Sequence, residues 1–136
     1  MYKILKTSFV TDRLELKNNH IKGRNFKLKP KITRKTGKIK DDVFFCNLIL
    51  EVTSSEQEPF PINLLIDFKG IFQFNPGDNE SEIDEFLKTE AVQLLFPYLR
   101  STVTNLTTTA MLPPIILPIV DINKLFPDNR ETIYVN

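Results

Sequence analysis

The only imidazole and the only thiol of this 136-residue chain are His20 and Cys46. A thiolate nucleophile needs a base or a positive field beside it, yet Cys46 lies in the apolar run Val43-Phe44-Phe45-Cys46 with no basic neighbour, which reads as an inert buried thiol. His20 follows Asn18 and Asn19 in a polar stretch and reads as a surface side chain. Four scattered glycines, Gly23, Gly37, Gly70 and Gly77, build neither a phosphate loop nor a dinucleotide fingerprint. The acids between Asp78 and Glu90 have the chemistry of a general acid and base pair or of calcium ligands. Their place at the start of a helical pattern gives them a simpler role, opposite the positive end of a helix dipole. The expectation is a protein without catalysis, metal or cofactor, whose function is binding.

The formal net charge of +1 hides a division along the chain. Residues 1–40 hold thirteen Lys or Arg against two acids, a net +11, and the remainder holds five against fifteen, a net −10. A basic segment of this kind can meet a nucleic acid through Lys27, Lys29, Lys31, Arg34, Lys35, Lys38 and Lys40, but the acidic remainder opposes a phosphate backbone. One cysteine excludes an internal disulfide, the N-terminus shows no signal-peptide pattern, and the longest apolar stretch, 111–120, is interrupted by three prolines. Cytoplasmic residence without membrane insertion is expected.

One domain fits the length, and its elements can be read from hydrophobic periodicity. A strand is expected over 3–16. Phe26 to Thr33 alternates strictly, with Phe26, Leu28, Pro30 and Ile32 opposite a row of lysines, as on an edge or near-edge strand. Thr36-Gly37-Lys38 reads as a turn. Residues 42–52 and 60–69 form a hairpin around the turn at 54–59, and Gly70-Ile71-Phe72-Gln73-Phe74 prolongs its second strand. Beyond the turn residues Asn75-Pro76-Gly77-Asp78-Asn79, apolar residues recur at helical spacing from Ile83 to Leu106. Pro97 should kink or divide that helix, and the threonine run 102–109 should weaken its end. A proline-rich loop, a short helix over 120–126 and a loose tail complete an α+β domain with a four-stranded antiparallel sheet.

Both central strands carry large apolar residues on both faces, so a helix on one side leaves the other uncovered. A second copy or a bound partner is expected to supply the cover.

The order of these features resembles the protein-export chaperone family SecB. The resemblance rests on Gly70-Ile71-Phe72 at a strand end, Leu94-Leu95-Phe96-Pro97-Tyr98-Leu99-Arg100 in the helix, the loop Leu112-Pro113-Pro114-Ile115-Ile116-Leu117-Pro118, and Ile122-Asn123-Lys124-Leu125-Phe126 beyond it. It implies a four-stranded antiparallel sheet with a long, proline-kinked helix and a short C-terminal helix on one face. It also implies assembly as a homotetramer, a dimer of dimers, with Leu64, Ile66 and Phe68 at a subunit interface. The implied activity is that of a holdase, which binds unfolded polypeptide in an apolar groove without nucleotide. Phe44, Leu48, Leu112, Ile115, Leu117 and Phe126 are the candidate groove residues, and core packing would equally account for each. The sequence departs from the family in three respects. It stops soon after Phe126, before the family's last helix and zinc tail, it is near neutral, and it places Leu65 where the family has an acid. The contact with the SecA motor is therefore not expected to carry over. Three functions follow: a general holdase serving protein export, a dedicated chaperone of one antitoxin in a toxin–antitoxin module, or a β-sheet nucleic-acid binder.

Overall fold

A computed structural model describes residues 2–23, 26–118 and 132–134. Four long strands, β1 (Ile4–Asn18), β2 (Lys31–Lys40), β3 (Val43–Val52) and β4 (Ile62–Phe74), are followed by α1 (Glu80–Lys88), α2 (Glu90–Thr109) and a three-residue strand β5 (Thr132–Tyr134). The sheet order is β1-β4-β3-β2-β5, antiparallel throughout, so β1 crosses over to pair with β4 at one edge. The expected loose tail thus contributes a strand, paired with Lys31, Ile32 and Thr33. The expected helix over 120–126, and with it Phe126, lies outside the described residues.

Alternation decides the two faces. On β4, Ile62, Leu64, Ile66, Phe68, Phe72 and Phe74 are buried, and on β3, Phe44, Cys46, Leu48, Leu50 and Val52 are buried beside them. The two helices lie over this side, α1 against β2 and β3 and α2 against β3 and β4. Edge-on aromatic packing ties the layers together: the Phe86 ring of α1 lies 5.0 Å from Phe72 and 5.8 Å from Phe74. Such pairs contribute about 0.5–1.5 kcal/mol each beyond their area.

Three local features differ from the sequence expectation. Gly37 is in strand, opposite Phe45, and the β2–β3 turn falls at Asp41-Asp42, where Asp42 takes a positive φ of 63°. The glycine serves packing, because a β-carbon there would sit 2.7 Å from the Phe45 ring. The ladder of β2 begins at Lys31, although the alternation of Phe26, Leu28 and Pro30 toward the core persists before it. The helical run divides at Thr89, while Pro97 lies inside α2 without ending it. Thr89 leaves helical geometry with its amide and hydroxyl both bonded to the Glu85 carbonyl.

Candidate functional site

The loop after α2 is fastened to the helix by side chains that periodicity alone does not single out. Thr104 donates its hydroxyl to the Ile115 carbonyl at 2.8 Å, Thr107 accepts from the Ile115 amide at 3.0 Å, and the Arg100 Nε donates to the Leu117 carbonyl at 3.2 Å. Thr107 and Thr108 also bond back to helix carbonyls one turn earlier. These bonds explain why the β-branched run continues the helix to Thr109 instead of fraying it. They also satisfy a backbone rich in proline that could not pair as a strand. The recoverable signal was the spacing of hydroxyls on an otherwise apolar helix.

This fastening sorts the loop's apolar side chains. Leu117 is buried, Leu112 and Ile115 pack partly against the core, and Met111 and Ile116 stand out, 94% and 70% exposed. Met111 is held in the left-handed region at φ 62°, at the point where the helix ends and the loop turns back. Of the six candidate groove residues, Leu112, Ile115 and Leu117 therefore share one loop. Phe44 and Leu48 belong to the core beneath the helices.

Leu64, Ile66 and Phe68 also lie on the helix-covered face, and Ile66 is fully buried. Within this chain Leu64 and Ile66 are shut off from solvent, while Phe68 reaches the groove between β1 and α2. Periodicity showed that they share a face, but not what that face would meet. Besides Met111 and Ile116, accessible apolar surface among the described residues lies at the β1 edge and on the flank of α2. Phe9, Leu14, Leu94 and Tyr98 are 43–56% exposed, and the Phe9 and Tyr98 rings are 5.6 Å apart across the gap between strand and helix. A groove of about 310 Å³ runs there, floored by Phe68 and Leu95.

The opposite sheet face has no helix over it among the described residues. Asn47, buried on β3, donates its amide to Asp67 at 2.6 Å and to Asp12 at 3.0 Å, and Lys69 meets Asp12 at 3.2 Å. Asp12 marks the β1 bulge between Thr11 and Arg13, so this network pins an irregular edge strand to the sheet centre. The Asn47 hydrogen bond, and after it Lys69, hold the Asp12 carboxyl below the usual aspartate range. The acidic helix start has local partners: Asn79 caps α1 by accepting from the amides of Ser81 and Glu82, and Asp78 accepts from those of Lys3 and Asn75.

A sheet of this order, sealed on one side by a long bent helix with an apolar loop stitched along it, is the architecture of SecB-like chaperones. A solved Mycobacterium tuberculosis SecB-like chaperone, in complex with a ChAD peptide from the HigA1 antitoxin, superposes with a TM-score of 0.66 over 88% of both chains at 16% identity. The chain belongs to the SecB family: the family model for preprotein translocase subunit SecB matches residues 15–132. Relatives include the protein-export protein SecB of Buchnera aphidicola, 29% identical over 102 residues, which are 75% of this chain and 71% of that protein. An uncharacterized protein of Methanocaldococcus jannaschii is 27% identical over 86 residues, 61% of this chain. The chain spans about half the length of that archaeal relative, 55%. No helix among the described residues is long and apolar enough to cross a membrane.

Proposed function

We propose that this chain is a holdase that binds non-native polypeptide along the apolar loop after α2. The observation that carries the reading is the presentation of Met111 and Ile116 to solvent on a loop fixed by Arg100, Thr104 and Thr107, with Leu112, Ile115 and Leu117 beneath. A rigid backbone that exposes large apolar side chains lowers the ordering cost of capture while demanding little of the client's sequence. The unbranched, adjustable Met111 side chain suits varied clients.

Assembly through the β1 edge completes the proposal. A fifteen-residue edge strand with exposed Leu5, Phe9, Val10 and Leu14 is a template for another strand, and a second copy aligning there would also cover Leu94 and Tyr98 of α2. Repetition of such contacts would produce a dimer of dimers and join the apolar loops into longer tracks.

A second reading, service to a single antitoxin, is favoured by the antitoxin peptide bound to the M. tuberculosis protein of the same fold. Service to protein export is favoured by the family match and by the protein-export relatives. Light scattering during dilution of several chemically unfolded proteins separates these readings. A general holdase suppresses aggregation of most clients in near-stoichiometric amounts, and paired Met111→Ser and Ile116→Ser substitutions reduce that suppression several-fold without loss of fold. Protection of no unrelated client would reject the general form. A monomeric native mass would reject the assembly.

A further inference from the structure

The open sheet face carries a second surface whose chemistry differs from that of the loop. In the three cross-strand rows nearest the β2–β3 turn, Lys6, Gln73, Val43 and Lys40 lie abreast, then Ser8, Ile71, Phe45 and Gly37, then Val10, Lys69, Asn47 and Lys35. Residues directly opposite in an antiparallel pair point to the same side, so the register alone places these side chains on one surface. Its middle is apolar: Val43, Phe45 and Ile71 are half-buried and Val10 is 45% exposed. The Phe45 ring settles over Gly37, which lacks the β-carbon that would lift it, and Lys69 lies 5.3 Å from its centroid. A shallow depression between Val43 and Ile71 is rimmed by Lys6 and Lys40.

The rim is positive. Lys6, Lys35 and Lys40 are exposed and make no ion pair among the described residues; Asp12 in the adjoining row is engaged by Lys69 and Asn47, and Asp41, beside Lys40 in the turn, meets Lys38 at 3.8 Å. In the rows beyond, both signs alternate, with Arg13 paired to Glu15, so the positive field is confined to the turn end of the face.

We propose that this half of the open face docks an acidic, amphipathic segment of a partner protein, whose apolar side chains would cover Val43, Phe45 and Ile71 while its carboxylates meet Lys6, Lys35 and Lys40. Both halves of the surface are then used. A nucleic-acid backbone would use the lysines but leave the aliphatic centre uncovered. The site lies on the side of the sheet away from the helices and the loop, so its occupation is compatible with a bound client, and it stands whether or not the holdase reading does.

Fluorescence anisotropy with a labelled eighteen-residue synthetic peptide, leucine and glutamate at amphipathic helical spacing, tests the proposal. The controls are the same peptide with lysine for glutamate and a single-stranded oligonucleotide. The acidic peptide should bind, binding should weaken with salt, and combined Lys6→Glu, Lys35→Glu and Lys40→Glu should reduce affinity at least about tenfold. A charge-matched control with Lys3→Glu, Lys22→Glu and Lys27→Glu, all exposed and outside the patch, should retain most of the affinity. Excess unfolded client should not displace the peptide, and the variant should retain client protection wherever the wild type shows it. Absence of peptide binding, equal loss in both triple variants, displacement by client, or tighter patch-dependent binding of the oligonucleotide would each overturn the proposal.

Discussion

The two faces of the sheet are made from the same strands, residue by residue in alternation, yet they solve opposite problems. On the covered face Leu48, Leu50, Ile66, Phe72 and Phe74 are fully enclosed by helices. On the other face the neighbours of those residues, Asn47, Ile49, Leu65, Asp67 and Gln73, interleave apolar with polar groups, and a hydrogen-bonded network occupies the centre. A surface that must remain presentable without a helix cannot be purely apolar, and one that must take a partner cannot be purely charged. Strand composition therefore encodes two surfaces with a period of two.

The strongest test of this contrast uses adjacent residues of β4. Ile66→Lys buries an ammonium in a closed core and should cost about 4 kcal/mol or more, enough to unfold much of a marginally stable domain. Leu65→Lys puts the same group on the open face, between Glu15 and Glu51 across the ladder, and should change stability by about 0.5 kcal/mol or less. Urea unfolding of the two variants gives the comparison directly. Equal destabilisation would mean that the open face is as tightly sealed as the other.

Two glycines sharpen it on a finer scale. A β-carbon at Gly70 would meet the fully buried Phe72 ring at 2.9 Å, whereas one at Gly37 would meet the half-exposed Phe45 ring at 2.7 Å. The closer clash should be the milder one, because Phe45 has solvent to swing into and Phe72 is held by Phe86. Gly70→Ala should cost about 1–3 kcal/mol. Gly37→Ala should cost about 1 kcal/mol or less, partly offset by the reduced freedom of the unfolded chain. A reversed order in thermal unfolding would show Phe45 to be fixed by something over the open face.

Much of this architecture was legible in the sequence, because alternation in 43–52 and 62–74 and helical spacing from Ile83 onward are tertiary signals written locally. The family motifs identified the fold even where local reading failed. Failure came where a residue has two uses. Gly37 has turn chemistry but relieves a ring, and the helical run divides at Thr89 while Pro97 stays within the bent α2 beside packed Leu95, Phe96 and Leu99. For the site, alternation grouped Leu64, Ile66 and Phe68 correctly on one face, but it cannot distinguish a face that meets another chain from one covered by a helix of its own. For the stitching by Arg100, Thr104 and Thr107 the sequence offered only the spacing of hydroxyls along the helix, because the partners depend on where the loop returns.

The smallest expected effect concerns how the open face holds its edge strand, and it is read through pH. Asp12 has a carboxyl shifted below the usual aspartate range by the Asn47 hydrogen bond first and Lys69 second, and its surroundings include Asp67 and Lys69 of β4 and Arg13 of its own strand. A carboxyl with a lower value in the folded than in the unfolded chain binds fewer protons when folded. Its contribution is complete above the unfolded value, near 3.8, and fades as pH falls through the lower folded value. The network is about one third exposed at Asp12, so screening keeps the contribution to about 1 kcal/mol or less. Asp12→Asn should therefore unfold at slightly lower urea than the wild type at pH 6, and the gap should close as the pH falls below the unfolded value and through the lower folded one. Hydrogen exchange at pH 6 should show faster opening confined to β1 around the bulge, with β3 unchanged. A gap that persists undiminished in acid would mean that Asn47 and Lys69 stabilise β1 through packing and not through the charge of Asp12.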